Sequence, residues 1–109
     1  MKILLDECVT KRLKPHLKNF EVHTVVEMGW SGVKNGKLMS LSAIYKFDII
    51  LTIDKNIMFQ QNLEKYPITI AVLNSFTSKL EELIHFLPSF IKNIYQFEKN
   101  KIYIIEKPT

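Results

Sequence analysis

Asp48-Ile49-Ile50-Leu51-Thr52-Ile53-Asp54 is the stretch that decides the fold. An unbroken apolar run, interrupted only by one threonine, lies between two aspartates. A strand with one wet face would alternate apolar and polar residues. A strand covered on both faces need not, so residues 49–53 read as a strand buried between two layers. Asp54 ends it. Outward from this run the pattern repeats. Ile3-Leu4-Leu5 is a second short apolar run, and residues 68–73 and 102–105 are others. Val22, Thr24 and Val26 suggest one more strand, with His23 and Val25 on its other face.

Helical patterns separate these runs. Val9, Leu13, Leu17 and Phe20 fall near helical spacing over residues 8–20, with Pro15 inside, so that helix is kinked or starts late. Leu38, Leu41, Ala43, Ile44 and Phe47 mark a helix near 36–46. Residues 55–63 read as a loop or short helix. Residues 78–98 form a long amphipathic pattern that Pro88 breaks or kinks. The order β-α-β-α-β-(α)-β-α-β predicts an α/β domain with about five strands. The sheet is mostly parallel, with helices on both faces and right-handed crossovers almost without exception. At 109 residues the chain is one domain, 1–109. Apolar residues at 47% and charged residues at 24% make an ordinary globular balance and argue against disorder.

The single cysteine, Cys8, rules out an internal disulfide and any multi-cysteine metal site. No apolar run approaches the roughly 18 residues of a membrane span. The opening residues carry no secretory pattern, because Asp6-Glu7 cuts the apolar run short. A soluble cytoplasmic protein is expected. A net charge of +4 permits an anionic partner without requiring one.

The chain has three aspartates: Asp6, Asp48 and Asp54. Asp6 ends the first strand and Asp54 the third, so a parallel sheet puts both at its carboxyl edge. Glu7 adds a third carboxylate. Asp48 precedes its strand and lies about 20 Å from Asp54 at ~3.3 Å per residue, outside any shared site. Converging carboxylates stay ionised when a cation compensates them, and Mg²⁺ or Mn²⁺ suits an all-oxygen site. Thr52 points to the same side of its strand as Asp54, where its hydroxyl is placed to bond a carboxylate or a metal-bound water. Both aspartates are equally suited to capping a following helix, and Glu7 suits a helix start on dipole grounds. Both roles stay open.

All three glycines, Gly29, Gly32 and Gly36, fall in the loop Met28-Gly29-Trp30-Ser31-Gly32-Val33-Lys34-Asn35-Gly36. That loop follows the second strand, at the edge where parallel sheets keep their sites.

Taken together, Ile3-Leu4-Leu5-Asp6-Glu7, Lys11-Arg12-Leu13, the run from Thr24 to Gly32, Asn35-Gly36, and Leu51-Thr52-Ile53-Asp54-Lys55-Asn56 resemble the small stand-alone proteins of the PIN-like (PilT N-terminus-like) superfamily. The similarity runs from about residue 2 to residue 75. It implies a three-layer Rossmann-like fold and a Mg²⁺- or Mn²⁺-dependent ribonuclease site. Many relatives look like toxin halves of bacterial toxin–antitoxin pairs, which implies RNA and a cognate antitoxin as partners. Asp6 matches the first metal-ligand aspartate, and Asp54 the aspartate of the later strand-end motif. Asn56 falls where many relatives carry another acid, and the helix near 36–46 lacks the acid that well-studied relatives place there. The acid set is therefore Asp6, Asp54 and Glu7, with Asn56 as a neutral oxygen ligand. The reduced set motivates an alternative, a catalytically degenerate RNA- or protein-binding module. A phosphoacceptor receiver domain shares the strand-end acids. It would need a lysine after its last core strand, and the fourth strand is followed by Asn74-Ser75-Phe76-Thr77, with Lys79 only later.

Lys11, Arg12, Lys34 and Lys55 are candidate phosphate contacts. Lys14 and Lys18 share the Lys11 face, and Lys37 flanks the site beside Lys34. Lys14 and Lys18 read as solvated. Trp30 either stacks a base or folds back onto the sheet. Gln60, Gln61 and Asn62 read as a polar turn. His16, His23 and His85 read as structural. Cys8 reads as a small buried residue whose thiol pKa a helix start would lower. The late aromatics Phe86, Phe90, Tyr95 and Phe97 are mostly core, with a surplus available for a homodimer face or an antitoxin groove.

Overall fold

The computed structural model describes residues 1–59 and 65–108; the expectation for Gln60, Gln61 and Asn62 lies outside them. Five strands form one sheet: β1 Lys2–Leu5, β2 Glu21–Thr24, β3 Ile49–Thr52, β4 Thr69–Leu73 and β5 Ile102–Ile105. Their order is β2-β1-β3-β4-β5. Every neighbouring pair is parallel, with Leu5 opposite Thr24 and Leu51, and Thr52 opposite Val72. The expected α/β architecture of about five strands is present. Sheet order reverses at β1, so the carboxyl ends of β1 and β3 flank the crevice where doubly wound sheets bind ligands.

β3 and β4 are buried along their whole length. Their alternate side chains feed two cores. One face carries Ile3, Leu5, Ile49, Leu51, Ala71 and Leu73, packed on Leu13, Leu17, Phe86 and Phe90. The other carries Leu4, Ile50, Ile70 and Val72, packed on Leu38, Met39, Phe47 and Ile57. The three layers follow.

The helices differ from the sequence expectation in type. Residues Lys11–Leu17 form a 3-10 helix rather than an α-helix. Pro15 supplies no N–H and crowds the carbonyl four residues back, which favours the tighter i→i+3 ladder. Thr10 caps it, its side chain accepting from the Arg12 N–H at 3.3 Å. Helix α1, Asn35–Ile44, follows the glycine loop. The late amphipathic pattern is four short pieces: α2 Leu80–Leu83, a 3-10 turn Ile84–Phe86, α3 Leu87–Asn93 and a 3-10 turn Ile94–Gln96. Pro88 sits in the first turn of α3, where a missing N–H costs nothing.

β2 stops at Thr24, two residues short of Val26, which is 66% exposed. The reason is a reciprocal capping box. Glu27 N–H donates to the Thr24 hydroxyl at 3.0 Å, and Thr24 N–H donates to Glu27 Oε1 at 2.9 Å.

One crossover departs from the handedness rule. The connections β1→β2 and β4→β5 run over the same face, since Leu13 and Leu17 share a core with Leu83, Phe86 and Phe90. They step in opposite directions across the sheet. Their hands are therefore opposite, whereas β2→β3 crosses the other face and keeps the hand of β1→β2. The short 3-10 helix alone would leave Ile49, Leu51, Ala71 and Leu73 bare, and α2–α3 cover them.

Candidate functional site

The carboxyl edge is organised around Thr52. This residue is fully buried, and its hydroxyl donates to Asp6 Oδ2 at 2.7 Å. The Thr52 hydroxyl oxygen also accepts the Asp54 N–H at 3.0 Å. One side chain thus ties the end of β1 to the end of β3. The Asp6 N–H donates to the Leu51 carbonyl at 3.0 Å, which continues the β1–β3 ladder by one residue. Asp6 Oδ1 accepts from the Glu7 N–H at 2.8 Å.

Cys8 completes the cluster. Its sulfur lies 3.3 Å from the Thr52 hydroxyl and 3.6 Å from Asp6 Oδ2. The thiol donates to Asp6 Oδ2, and in the contact with Thr52 either group can be the donor. Desolvation of the sulfur is the main cause holding the thiol above its ordinary pKa, with the Asp6 charge adding to it; hydrogen bonds from Thr52 and the Ile53 backbone pull the other way. The expectation of a lowered thiol in a buried residue is corrected on both counts. Cys8 is exposed as a residue, and only its sulfur tucks against the buried hydroxyl.

Asp54 does what an N-cap does. Its Oδ1 accepts the Asn56 N–H at 2.9 Å, opening the 3-10 turn Lys55–Phe59. Asn56 is exposed, and its backbone is what meets Asp54. Glu7 is held by the glycine loop. Gly32, at φ +79°, turns its N–H onto Glu7 Oε1 at 3.0 Å. A β-carbon at that φ would strain the turn.

These carboxylates keep acceptor capacity. Asp6 Oδ1 takes one donor, the Glu7 N–H, and can take another; Oδ2 takes the Thr52 hydroxyl and the Cys8 thiol; one oxygen each of Glu7 and Asp54 has no protein donor among the described residues. None of the three is in an ion pair among those residues. Mg²⁺ commonly takes one or two carboxylates, retained waters and substrate phosphate. That donor chemistry fits Asp6 with Asp54, which are linked through the Thr52 hydroxyl, and Asn56 is exposed two residues after Asp54. A closed cage does not fit: no three histidine, cysteine or acid side chains are grouped for a metal among the described residues.

A crevice of about 420 Å³ opens beside Asp6, lined by Glu7, Thr10, Lys11, Thr24 and Glu27. A larger groove of about 660 Å³ lies across the Lys14–Glu27 ion pair, lined by Lys11, Arg12, Lys14 and Lys18 over Leu17, Phe20 and Val22. It contains none of the strand-end aspartates, so its size does not make it the chemical centre. Lys11 borders both spaces. The Lys14 ammonium, then the Thr24 N–H, hold Glu27 below the usual carboxylate range.

The other sequence candidates divide. Lys55 is half-buried and donates to the Ser75 carbonyl at 2.9 Å, bridging the ends of β3 and β4. Lys34 and Lys37 are exposed around the start of α1. Trp30 is corrected as a base platform. It is 8% exposed and packs edge-on against Tyr45 and Phe47, anchoring the glycine loop to the core. His23 pairs with Glu21 and meets Phe47 edge-on, away from the site. Phe86 and Phe90 are core, whereas Tyr95 is 75% exposed.

Among the described residues no helix is long and apolar enough to cross a membrane. Comparison with family models, curated proteins and solved structures finds no match for this chain.

Proposed function

We propose that the chain is a Mg²⁺- or Mn²⁺-dependent ribonuclease working at the β1/β3 crevice. The observation that carries this reading is the Asp6 carboxylate, unpaired with any cation among the described residues, seated at the topological switch point. A divalent cation there would supply charge to clamp a phosphate and lower the pKa of a water. Asp6 and Asp54 hold the cation, and Thr52 fixes the Asp6 rotamer. Glu7, steadied by Gly32, has a second oxygen available to accept a proton from the attacking water. Lys11 borders the crevice beside Asp6 and Arg12 lines the adjoining groove, and both contact backbone phosphates in this reading. The PIN-like resemblance extends the proposal to the toxin half of a bacterial toxin–antitoxin pair. A small open reading frame abutting the gene would support that extension.

A second reading is a binding module that keeps the fold without the chemistry. The Asp54 cap and the absence of a three-acid group among the described residues favour it. The phosphoacceptor reading fares worse. Lys107 does follow β5, but its ammonium pairs with Glu82 at 2.5 Å and lies over Phe86, in the helical layer.

Cleavage of a fluorogenic single-stranded RNA in Mn²⁺ separates these readings. Outer-shell partners of a metal are worth about 10–100-fold, and a direct ligand at least as much. Asp6→Asn and Asp54→Asn should therefore lose at least about tenfold in rate, while Asp48→Asn, purified identically, keeps its rate. Equal rates in all three would assign the activity to a contaminant and sink the nuclease reading. RNA binding without cleavage would favour the module.

A further inference from the structure

Phe76 is 99% exposed, the most exposed of the large apolar side chains among the described residues. An exposed phenylalanine forgoes the stabilisation of burying its ring, and its loop does not fold it away. That loop is well tied. Asn74 N–H donates to the Ile105 carbonyl at 2.9 Å, and its side-chain amide donates to Glu106. Ser75 is buried, and its hydroxyl donates to the Thr77 carbonyl at 2.7 Å while accepting the Thr77 N–H at 3.2 Å. The Thr77 hydroxyl in turn accepts the Lys79 N–H at 3.2 Å. The ring is presented by a fixed backbone.

A cation stands beside it. Lys55 Nζ, fastened to the Ser75 carbonyl, lies 5.2 Å from the ring centroid. One of its three N–H groups is used there, leaving two for a ligand. Lys55 directly follows Asp54, so ring, ammonium and strand-end carboxylate occupy adjoining positions along one sheet edge.

We propose that Phe76 is the platform on which a base of single-stranded RNA stacks, with the Lys55 ammonium taking the adjoining phosphate. This rests on the reading of the strand-end site as one that acts on RNA. Stacking on an aromatic ring needs one open π face and tolerates every base. A protein anchor would instead sit among apolar neighbours that exclude water. Phe76 is flanked by Ser75, Thr77, Ser78 and Lys79, and an ammonium stands over its ring. The surroundings suit a polyanion carrying aromatic bases.

The test is a titration of a short single-stranded RNA containing 2-aminopurine, in EDTA so that nothing is cleaved. The proteins are wild type, Phe76→Ala, Phe76→Leu and Phe76→Trp. The loss of one stacked base weakens binding by roughly 5- to 150-fold. Phe76→Ala and Phe76→Leu should show that loss and the loss of 2-aminopurine quenching. Phe76→Trp should keep both affinity and quenching, because it keeps a π face. Leucine binding like wild type overturns the platform. Unchanged RNA affinity, with a wild-type dimer that Phe76→Ala converts to monomer in sedimentation, assigns the ring to a protein contact and also overturns it. Wild type that binds no RNA fails at the earlier step and removes the RNA reading itself.

Discussion

β3 carries an aspartate at each end, and the two are treated differently. At the amino edge, Asp48 is paired with a cation. Its Oδ2 accepts the Lys2 N–H at 2.8 Å, its Oδ1 faces the Lys99 ammonium at 3.6 Å, and its own backbone pairs with both neighbouring strands. At the carboxyl edge, Asp6 and Asp54 meet hydroxyl, thiol and backbone N–H groups but no cation among the described residues. The same residue type is a fastener at one edge and a set of open acceptors at the other. A fold needs the first kind, and the second kind points to something the chain binds.

The largest stability effect should come from the link inside the open edge. Thr52→Val keeps shape but removes the donor to Asp6 and the acceptor of the Asp54 N–H. A buried polar group left without its partner costs about 1–3 kcal/mol. Urea unfolding should show a loss in that range with an unchanged slope. A neutral result would mean that the two strand ends are not joined through this hydroxyl.

The aspartates themselves should then separate. Asp48→Ala strands the Lys2 N–H and releases Lys99, at about 1 kcal/mol. Asp6→Asn keeps an oxygen to accept the Thr52 hydroxyl and removes an unpaired negative charge, so it should cost less than Asp48→Ala. Equal losses in both, measured in the same urea series, would erase the distinction between the edges.

The amino edge also stores strain that has no stated use. Lys46 closes α1 at φ 67°, its N–H donating to the Ala43 carbonyl, and the next N–H donates to Ser42. Glycine is the ordinary residue at such a C-terminal cap. Lys46→Gly should raise stability by about 0.5–1 kcal/mol, less than the strain relieved, because glycine also loosens the unfolded chain. A higher melting temperature without change at the carboxyl edge is the expected outcome. A fall would mean the lysine side chain does more than fill the position.

The smallest effect concerns Cys8. Its folded thiol keeps its proton to higher pH than an unfolded one, so its contribution to stability is full below the unfolded pKa. It is lost as pH rises through the folded value. Alkylation by iodoacetamide should show a pH midpoint above that of the unfolded chain, and Asp6→Asn should lower it by removing the repelling charge. A midpoint unmoved by that change would detach Cys8 from the acid cluster.

Legibility in the sequence followed the period of each signal. The runs at 49–53 and 68–73 were readable because strands buried on both faces leave no alternation to mistake, whereas the edge strand at 102–105 is partly exposed and was readable only as a short apolar run. Helix type was not, because Pro15 leaves apolar spacing intact while changing the hydrogen-bond ladder. The end of β2 had a sign in Thr24-Val25-Val26-Glu27, a capping box whose acid outweighs the β propensity of two valines. Asp6 and Asp54 could be set on one edge from strand ends alone. The Asp6–Thr52–Cys8 contacts depend on the β1–β3 register, which no local pattern encodes. Trp30 carried opposite readings in sequence, and burial decides between them. Phe76 had no sequence signal at all, since exposure of an aromatic in a short loop is set by how the loop is tied.

The most direct measurement is calorimetric titration of Mn²⁺ into wild type, the Asp6→Asn/Asp54→Asn double variant and Asp48→Asn. Binding in wild type and in Asp48→Asn that vanishes in the double variant is the predicted result. It would place the cation at the open edge. No heat from wild type at millimolar Mn²⁺, or equal heat from all three proteins, would contradict the account and leave the strand-end aspartates as caps.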